Sequence, residues 1–140
     1  MNLRTKVAVV GAGFFGQYHA RNYAAMPDVE LVAVVDRDGA SARSLAAETG
    51  CAPLSDHREL VGKVDAVSVV VPTVHHAAVA GDFLRAGIAT LVEKPLALSL
   101  DEARAMTRFA AAHGAMLQVG HVERFNPVWK VVEGAEGEGA

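Results

Sequence analysis

Lys6-Val7-Ala8-Val9-Val10-Gly11-Ala12-Gly13-Phe14-Phe15-Gly16-Gln17 is the stretch on which the fold turns. Val7–Val10 is a short, nearly continuous apolar run, as expected of a strand buried on both faces. Three glycines in GxGxxG spacing follow it directly, at the start of a helical pattern. In that setting the first glycine permits a tight turn and the second lets backbone approach a pyrophosphate. The third lets the helix pack close to the strand. The helix start adds amides and the positive end of a dipole for phosphate oxygens. Asp36 ends the next apolar run, about twenty residues beyond Gly16, where a carboxylate can accept from both ribose hydroxyls. Gly11, Gly13, Gly16 and Asp36 together predict a dinucleotide site.

Rival phosphate motifs are tested by single residues. Gly11 and Gly16 have P-loop spacing, but Gln17 stands where that motif requires Lys. A methyltransferase could use Asp36 for a ribose, but normally spaces its glycines differently. A glycine-rich turn without a ligand is the plainest alternative, and strand, helix and acid in register weigh against it. Asp36 points to NAD, because a carboxylate there repels a 2′-phosphate. Arg37 keeps NADP open, since a guanidinium can pair with that phosphate or stack on adenine. An exposed charge at the start of a helix fits Arg37 equally well.

Outward from this loop, four further apolar runs recur at Leu31–Val35, Ala66–Val71, Ile88–Val92 and Met116–Val119, with a weaker one near Cys51–Leu54. Helical patterns lie between them. Ser99 and Glu102 form a capping box, Asp38 and Thr73 suit N-caps, and Gly50, Gly87 and Gly114 suit left-handed stops. Asp56 with Glu59 suggests a short helix, and Asn126 with Pro127 opens a last one. Strand alternating with helix throughout predicts a doubly wound parallel α/β sheet in three layers, the Rossmann dinucleotide-binding fold.

Composition agrees with one such domain. The chain has 140 residues, 51% hydrophobic and 21% charged, with a formal net charge of -3. That excludes a disordered chain, and the slightly acidic balance argues against a nucleic-acid partner. Cys51 is the only cysteine, so no intrachain disulfide or zinc ribbon is expected. The run after Lys6 is broken by glycines and polar residues, which argues against a signal peptide and a membrane span. The expectation is a cytoplasmic protein with residues 1–133 as a dinucleotide-binding domain and 134–140 as a flexible tail. Val128, Trp129, Val131 and Val132 crowd a short helix near the end, an apolar face that favours self-association as a homo-oligomer or packing back onto the sheet.

Polar residues also follow the later strands. Val71-Pro72-Thr73 with His76, Glu93-Lys94-Pro95, and Gly120-His121 stand at three strand ends, where ligands of open α/β sheets bind. GAGFFG, VVD, VPTVHH, AGIATLVEKPLALSLDEA and VGHVERFNP together resemble the glucose–fructose oxidoreductase/inositol dehydrogenase (Gfo/Idh/MocA) family, from Lys6 to about Pro127. VGHVERFNP resembles members acting on nucleotide sugars. The resemblance implies an N-terminal dinucleotide-binding domain, with most substrate contacts and commonly a catalytic His coming from a larger C-terminal α/β domain. No such domain is expected within these residues.

By position, the resemblance implies that Gly11, Gly13, Phe14, Phe15 and Gly16 hold the pyrophosphate and Asp36 the adenine ribose. Pro72, Thr73 and His76 would line the middle of the cofactor, although the family often has Asn where Thr73 stands. Glu93 would hold the nicotinamide ribose, and Lys94 would reach the nicotinamide and the substrate hydroxyl. Oxidising a secondary alcohol sends hydride to the nicotinamide while the hydroxyl proton leaves. A partly desolvated Lys near a positive ring can accept or share that proton, which makes Lys94 the candidate catalytic residue. On spacing alone a surface Lys paired with Glu93 fits slightly better; the strand-end location and the resemblance reverse that.

His75 and His76 are adjacent and point about 100° apart on a helix, so they do not jointly chelate a metal easily. His19, His57 and His113 read as ordinary helix-surface residues. His121 and Arg124 fit substrate contact and capping equally. There is no GxSxG, and neither Tyr18 nor Tyr23 has Lys four residues later. The expected function is NAD(P) binding in an oxidoreductase that moves hydride between a sugar, nucleotide-sugar or polyol hydroxyl and nicotinamide, inactive without the substrate domain. The alternative is a free-standing nucleotide-sensing or CoA-binding-like module with no catalysis.

Overall fold

The run opened at Lys6 forms β1 (Thr5–Val10), and the glycine loop delivers the chain into α1 (Phe14–Ala25). The structure, a computed structural model, describes residues 4–136. Then follow β2 (Val29–Val35), α2 (Gly39–Thr49), β3 (Ala52–Leu54), β4 (Ala66–Val69), α3 (His76–Arg85), β5 (Ala89–Glu93), α4 (Leu100–His113), β6 (Leu117–Gly120) and α5 (Val128–Glu136). All six strands pair in parallel in the order β3-β2-β1-β4-β5-β6. This is the doubly wound α/β sheet that the alternating pattern predicts. The crossover from edge strand β3 to β4 puts the switch point between β1 and β4, where such sheets bind ligands.

Alternation along β1 builds the two outer layers. Ala8 and Val10 face a core that includes Val79, Ala80, Phe83 and Leu84 of α3 and Met106 and Ala110 of α4. Val9 faces the opposite side, with Ala20 of α1 and Leu45 of α2. Helix ends follow the local chemistry. Asp38 accepts from Ala40 N–H and, at 2.6 Å, from the Ser41 hydroxyl. That hydroxyl bond, then the amide bond, holds the Asp38 carboxyl below its ordinary range. Ser99 Oγ accepts from Glu102 N–H at 3.2 Å, and the Glu102 carboxylate reaches back to Leu98 N–H, one residue earlier than a standard capping box. Asn126 Oδ1 accepts from Val128 N–H at 3.0 Å.

Three local expectations change. Thr73 does not cap α3 with its side chain: the chain first makes a 3-10 turn, Thr73–His75, closed by His75 N–H to Pro72 O, and α3 starts at His76. α5 continues to Glu136, into the segment expected to fray; residues 137–140 lie outside the described ones. Coverage of the sheet is also incomplete, since Gln118 on β6 is exposed. Val122, Phe125, Val128, Trp129, Val131 and Val132 are exposed as well. Among the described residues no helix is long and apolar enough to cross a membrane.

Candidate functional site

A cleft of about 720 Å³ opens at the carboxyl ends of the strands, over the switch point. Its floor is the glycine loop, and the three glycines are there for different reasons. Gly11 has φ +112, and a Cβ on it would stand 2.5 Å from Val70 O at the end of β4. A Cβ on Gly16 would overlap the carbonyl oxygen of Gly11. Both therefore serve close packing of loop, helix and strand. A Cβ on Gly13 would meet no atom within 4 Å, so its missing side chain keeps space above the loop open. Gly13 is also the N-cap of α1 and brings no side-chain acceptor, and no acid stands in the first turn. Uncapped amides below an open space are the features a pyrophosphate requires.

Asp36, at the end of β2, ties this loop down. Its Oδ2 accepts from Ala12 N–H at 2.7 Å and its Oδ1 from Asp38 N–H at 2.8 Å. Beyond it the cleft is walled by Arg37 and by Ser55, Asp56, His57 and Arg58, which follow β3. Asp56 holds Arg58 through both carboxylate oxygens at 2.7–3.1 Å, and that pairing pushes the Asp56 carboxyl down to about 2. Among the described residues Arg37 has no carboxylate within salt-bridge distance.

At the end of β5, Glu93 turns inward and Lys94 outward. The Glu93 carboxylate is buried, accepting from Lys94 N–H at 3.1 Å and lying 2.9 Å from His19 Nε2. Lys94 is exposed, and its Nζ stands 5.7 Å from the centre of the Phe15 ring. That is within the range at which an ammonium is attracted to an aromatic face. It brings the end of β5 against the glycine loop.

The family model described as an oxidoreductase family with an NAD-binding Rossmann fold matches residues 5–121. The chain belongs to the Gfo/Idh/MocA oxidoreductase family. This Gfo/Idh/MocA chain is 37% identical over 125 residues to UDP-N-acetylglucosamine 3-dehydrogenase of Acidithiobacillus ferrooxidans, covering 89% of this chain and 39% of that enzyme. A solved structure of the same enzyme superposes with a TM-score of 0.88 at 36% identity, covering 99% of this chain and 45% of that one. Inositol 2-dehydrogenase of Rhizobium meliloti is 34% identical over 138 residues, covering 98% of this chain and 42% of that enzyme. Scyllo-inositol dehydrogenase of Lactobacillus casei, solved with NAD(H) and scyllo-inositol, gives a TM-score of 0.87 at 26% identity, with 97% and 42% covered. The chain thus spans under half the length of these relatives. It is an NAD-binding Rossmann domain of an oxidoreductase lineage.

The geometry of this Gfo/Idh/MocA domain sorts the sequence-predicted residues. Gly11, Gly13, Phe14, Phe15, Asp36, Arg37 and Pro72 line the cleft, with Gly16 packed beneath Gly11. Thr73, Glu93 and Lys94 lie outside its walls. His76 differs most from expectation. It is buried, with Nε2 2.8 Å from Val71 O and Nδ1 3.0 Å from Pro95 O, so both ring nitrogens face backbone carbonyls. It braces the β4 and β5 turns against each other, while His75 lines the cleft. His57 is not a plain surface residue: it lines the cleft, its Nε2 is 2.9 Å from Asp82 and its ring packs on Phe83. His113 is exposed, as expected. Ser55–Arg58 could have been found by the strand-end rule applied to the weak strand Cys51–Leu54.

Proposed function

We propose that this chain is the cofactor-binding part of an enzyme that oxidises a secondary hydroxyl of a sugar, nucleotide sugar or polyol. In this assignment residues 1–133 form the dinucleotide-binding unit. Gly11, Gly13 and the first amides of α1 hold the pyrophosphate, Asp36 and Arg37 the adenosine end, and Pro72, Thr73 and His75 the middle. Bound nicotinamide supplies the hydride acceptor. Glu93 serves the nicotinamide ribose, and Lys94 takes or shares the hydroxyl proton. The observation that carries this assignment is the approach of Lys94 Nζ to the Phe15 ring, which sets a proton-handling group against the glycine loop. The activities of the relatives supply the substrate class.

A substrate-binding portion has to fix the reacting carbon, and orientation of that kind supplies ~7–11 kcal/mol of barrier lowering. We assign the exposed apolar residues Phe125, Trp129 and Val132 to contact with that portion, self-association being the outcome when it is lacking. The single thiol, Cys51, free among the described residues, suits a reducing compartment such as the cytoplasm. The test joins this chain to the remaining part of the Acidithiobacillus enzyme and follows NADH formation with UDP-N-acetylglucosamine and with inositols. Turnover by the fusion, lost in Lys94→Ala with NAD affinity kept, is the expected result. Lys94-dependent oxidation of a small alcohol by the 140-residue chain alone would overturn the two-part assignment.

A further inference from the structure

A run of polar side chains crosses the inside of the molecule between α1 and the sheet, and the function assigned above does not use it. Tyr23 OH on α1 is 2.7 Å from Ser68 Oγ on β4, a residue with no exposed surface. Ser68 Oγ is 3.2 Å from His19 Nδ1, and His19 Nε2 is 2.9 Å from Glu93 Oε1 on β5. Glu93 Oε2 accepts from Lys94 N–H. A Cβ on Gly120 of β6 would stand 2.8 Å from Glu93 Oε1, so the carboxylate has a fitted slot as well as donors.

The donors can be ordered in one direction. With the carboxylate ionised and the imidazole neutral, Nε2 of His19 donates to Glu93 and Nδ1 accepts from the Ser68 hydroxyl. Ser68 Oγ accepts in turn from Tyr23 O–H. Every donor then has an acceptor. Burying such a chain costs desolvation, and apolar side chains of the same shape would pack α1 on β4 without that cost. What they would not do is hold a carboxylate at the end of β5.

We propose that His19 is a positioning residue: backed by Ser68 and Tyr23, it holds the Glu93 carboxylate in the orientation that recognises the nicotinamide half of the dinucleotide. This rests on the assignment of Glu93 to the nicotinamide ribose, and the experiment separates the two claims. NADH and ADP are titrated into the 140-residue chain, and the ratio of their affinities is compared among variants. ADP lacks the nicotinamide and its ribose, so general loosening of the fold moves both ligands while loss of Glu93 orientation moves only NADH.

The wild-type chain should prefer NADH to ADP, and Glu93→Gln should reduce that preference. His19→Ala should reduce it about tenfold, the scale of one hydrogen bond to a charged group. The side-chain nitrogen of Gln reaches where Nε2 of His does, and that of Asn reaches where Nδ1 does. His19→Gln should therefore restore most of the preference and His19→Asn should not. Nitrogen NMR of the imidazole should show the Nε2–H tautomer. A wild-type chain with no preference for NADH would overturn the Glu93 assignment and this proposal with it. A wild-type preference that survives His19→Ala or His19→Asn, a His19→Gln variant as poor as His19→Ala, or an Nδ1–H tautomer would each overturn the role of His19 alone.

Discussion

Asp36→Ala should unfold more easily than the wild type even without cofactor. The carboxylate is a ribose acceptor in the function assigned here, but it already accepts two backbone amides, Ala12 N–H at 2.7 Å and Asp38 N–H at 2.8 Å. Ala12 is buried, so its amide is left without this acceptor when the carboxylate goes. A hydrogen bond to a charged group contributes about 1.5–3 kcal/mol, and the exposed Asp38 bond adds less. A loss of about 2–4 kcal/mol follows, or roughly 7–14 °C in Tm for a chain this long. Urea and thermal unfolding of Asp36→Ala and Asp36→Asn measure it, and the Asn variant, whose oxygen can still accept from Ala12 N–H while its amide nitrogen cannot accept from Asp38 N–H, should lose less. A Tm for Asp36→Ala within about 2 °C of wild type would refute the reasoning. Because the loop weakens for every ligand, nucleotide choice has to be read as the NAD-to-NADP affinity ratio. That ratio should fall at least about tenfold, as repulsion of a 2′-phosphate is relieved beside Arg37.

Gly16→Ala should cost at least about 3 kcal/mol, because its Cβ overlaps the Gly11 carbonyl and backbone has to move; urea unfolding checks it. Asp56, lowered to about 2 from an ordinary 3.8 by its bonds to Arg58, and Asp38, lowered by the Ser41 hydroxyl and the Ala40 amide, are carboxylates whose hydrogen bonds stabilise the native state above about pH 4. Their contribution is lost as pH falls towards 2, so Tm scanned from pH 5 to 2 should fall less steeply in Asp56→Asn. The Cys51 thiol is pushed up by burial, so at pH 8 it should react with an aromatic disulfide reagent well below the rate of a free cysteine.

Much of this molecule was legible because its signals are local. Val7–Val10 and the runs after it pair as expected, and Asp38, Ser99 and Asn126 cap the helices they precede. What escaped depends on partners far apart in sequence. His19 looked like a surface residue, yet Gly16, His19, Ala20 and Tyr23 share the inward stripe of α1, a three- and four-residue spacing visible in the sequence. Its partners could not be read: Ser68 lies on another strand and Glu93 on a third. His76 misled for the opposite reason. It stands beside a strand end, but its nitrogens face the carbonyls of Val71 and Pro95. His75, and not His76, lines the cleft.

The most direct test of the central claim is calorimetric titration of NAD into the wild-type chain and Gly13→Val. Gly13 has φ -71 and open space where a Cβ would go, so a side chain there need not disturb the fold. The account predicts saturable NAD binding by wild type, and a loss of at least about tenfold in Gly13→Val with unfolding free energy changed by less than about 1 kcal/mol. A Gly13→Val chain that binds NAD as tightly as wild type would contradict it, because the space above the glycine loop would then not be where the dinucleotide lies.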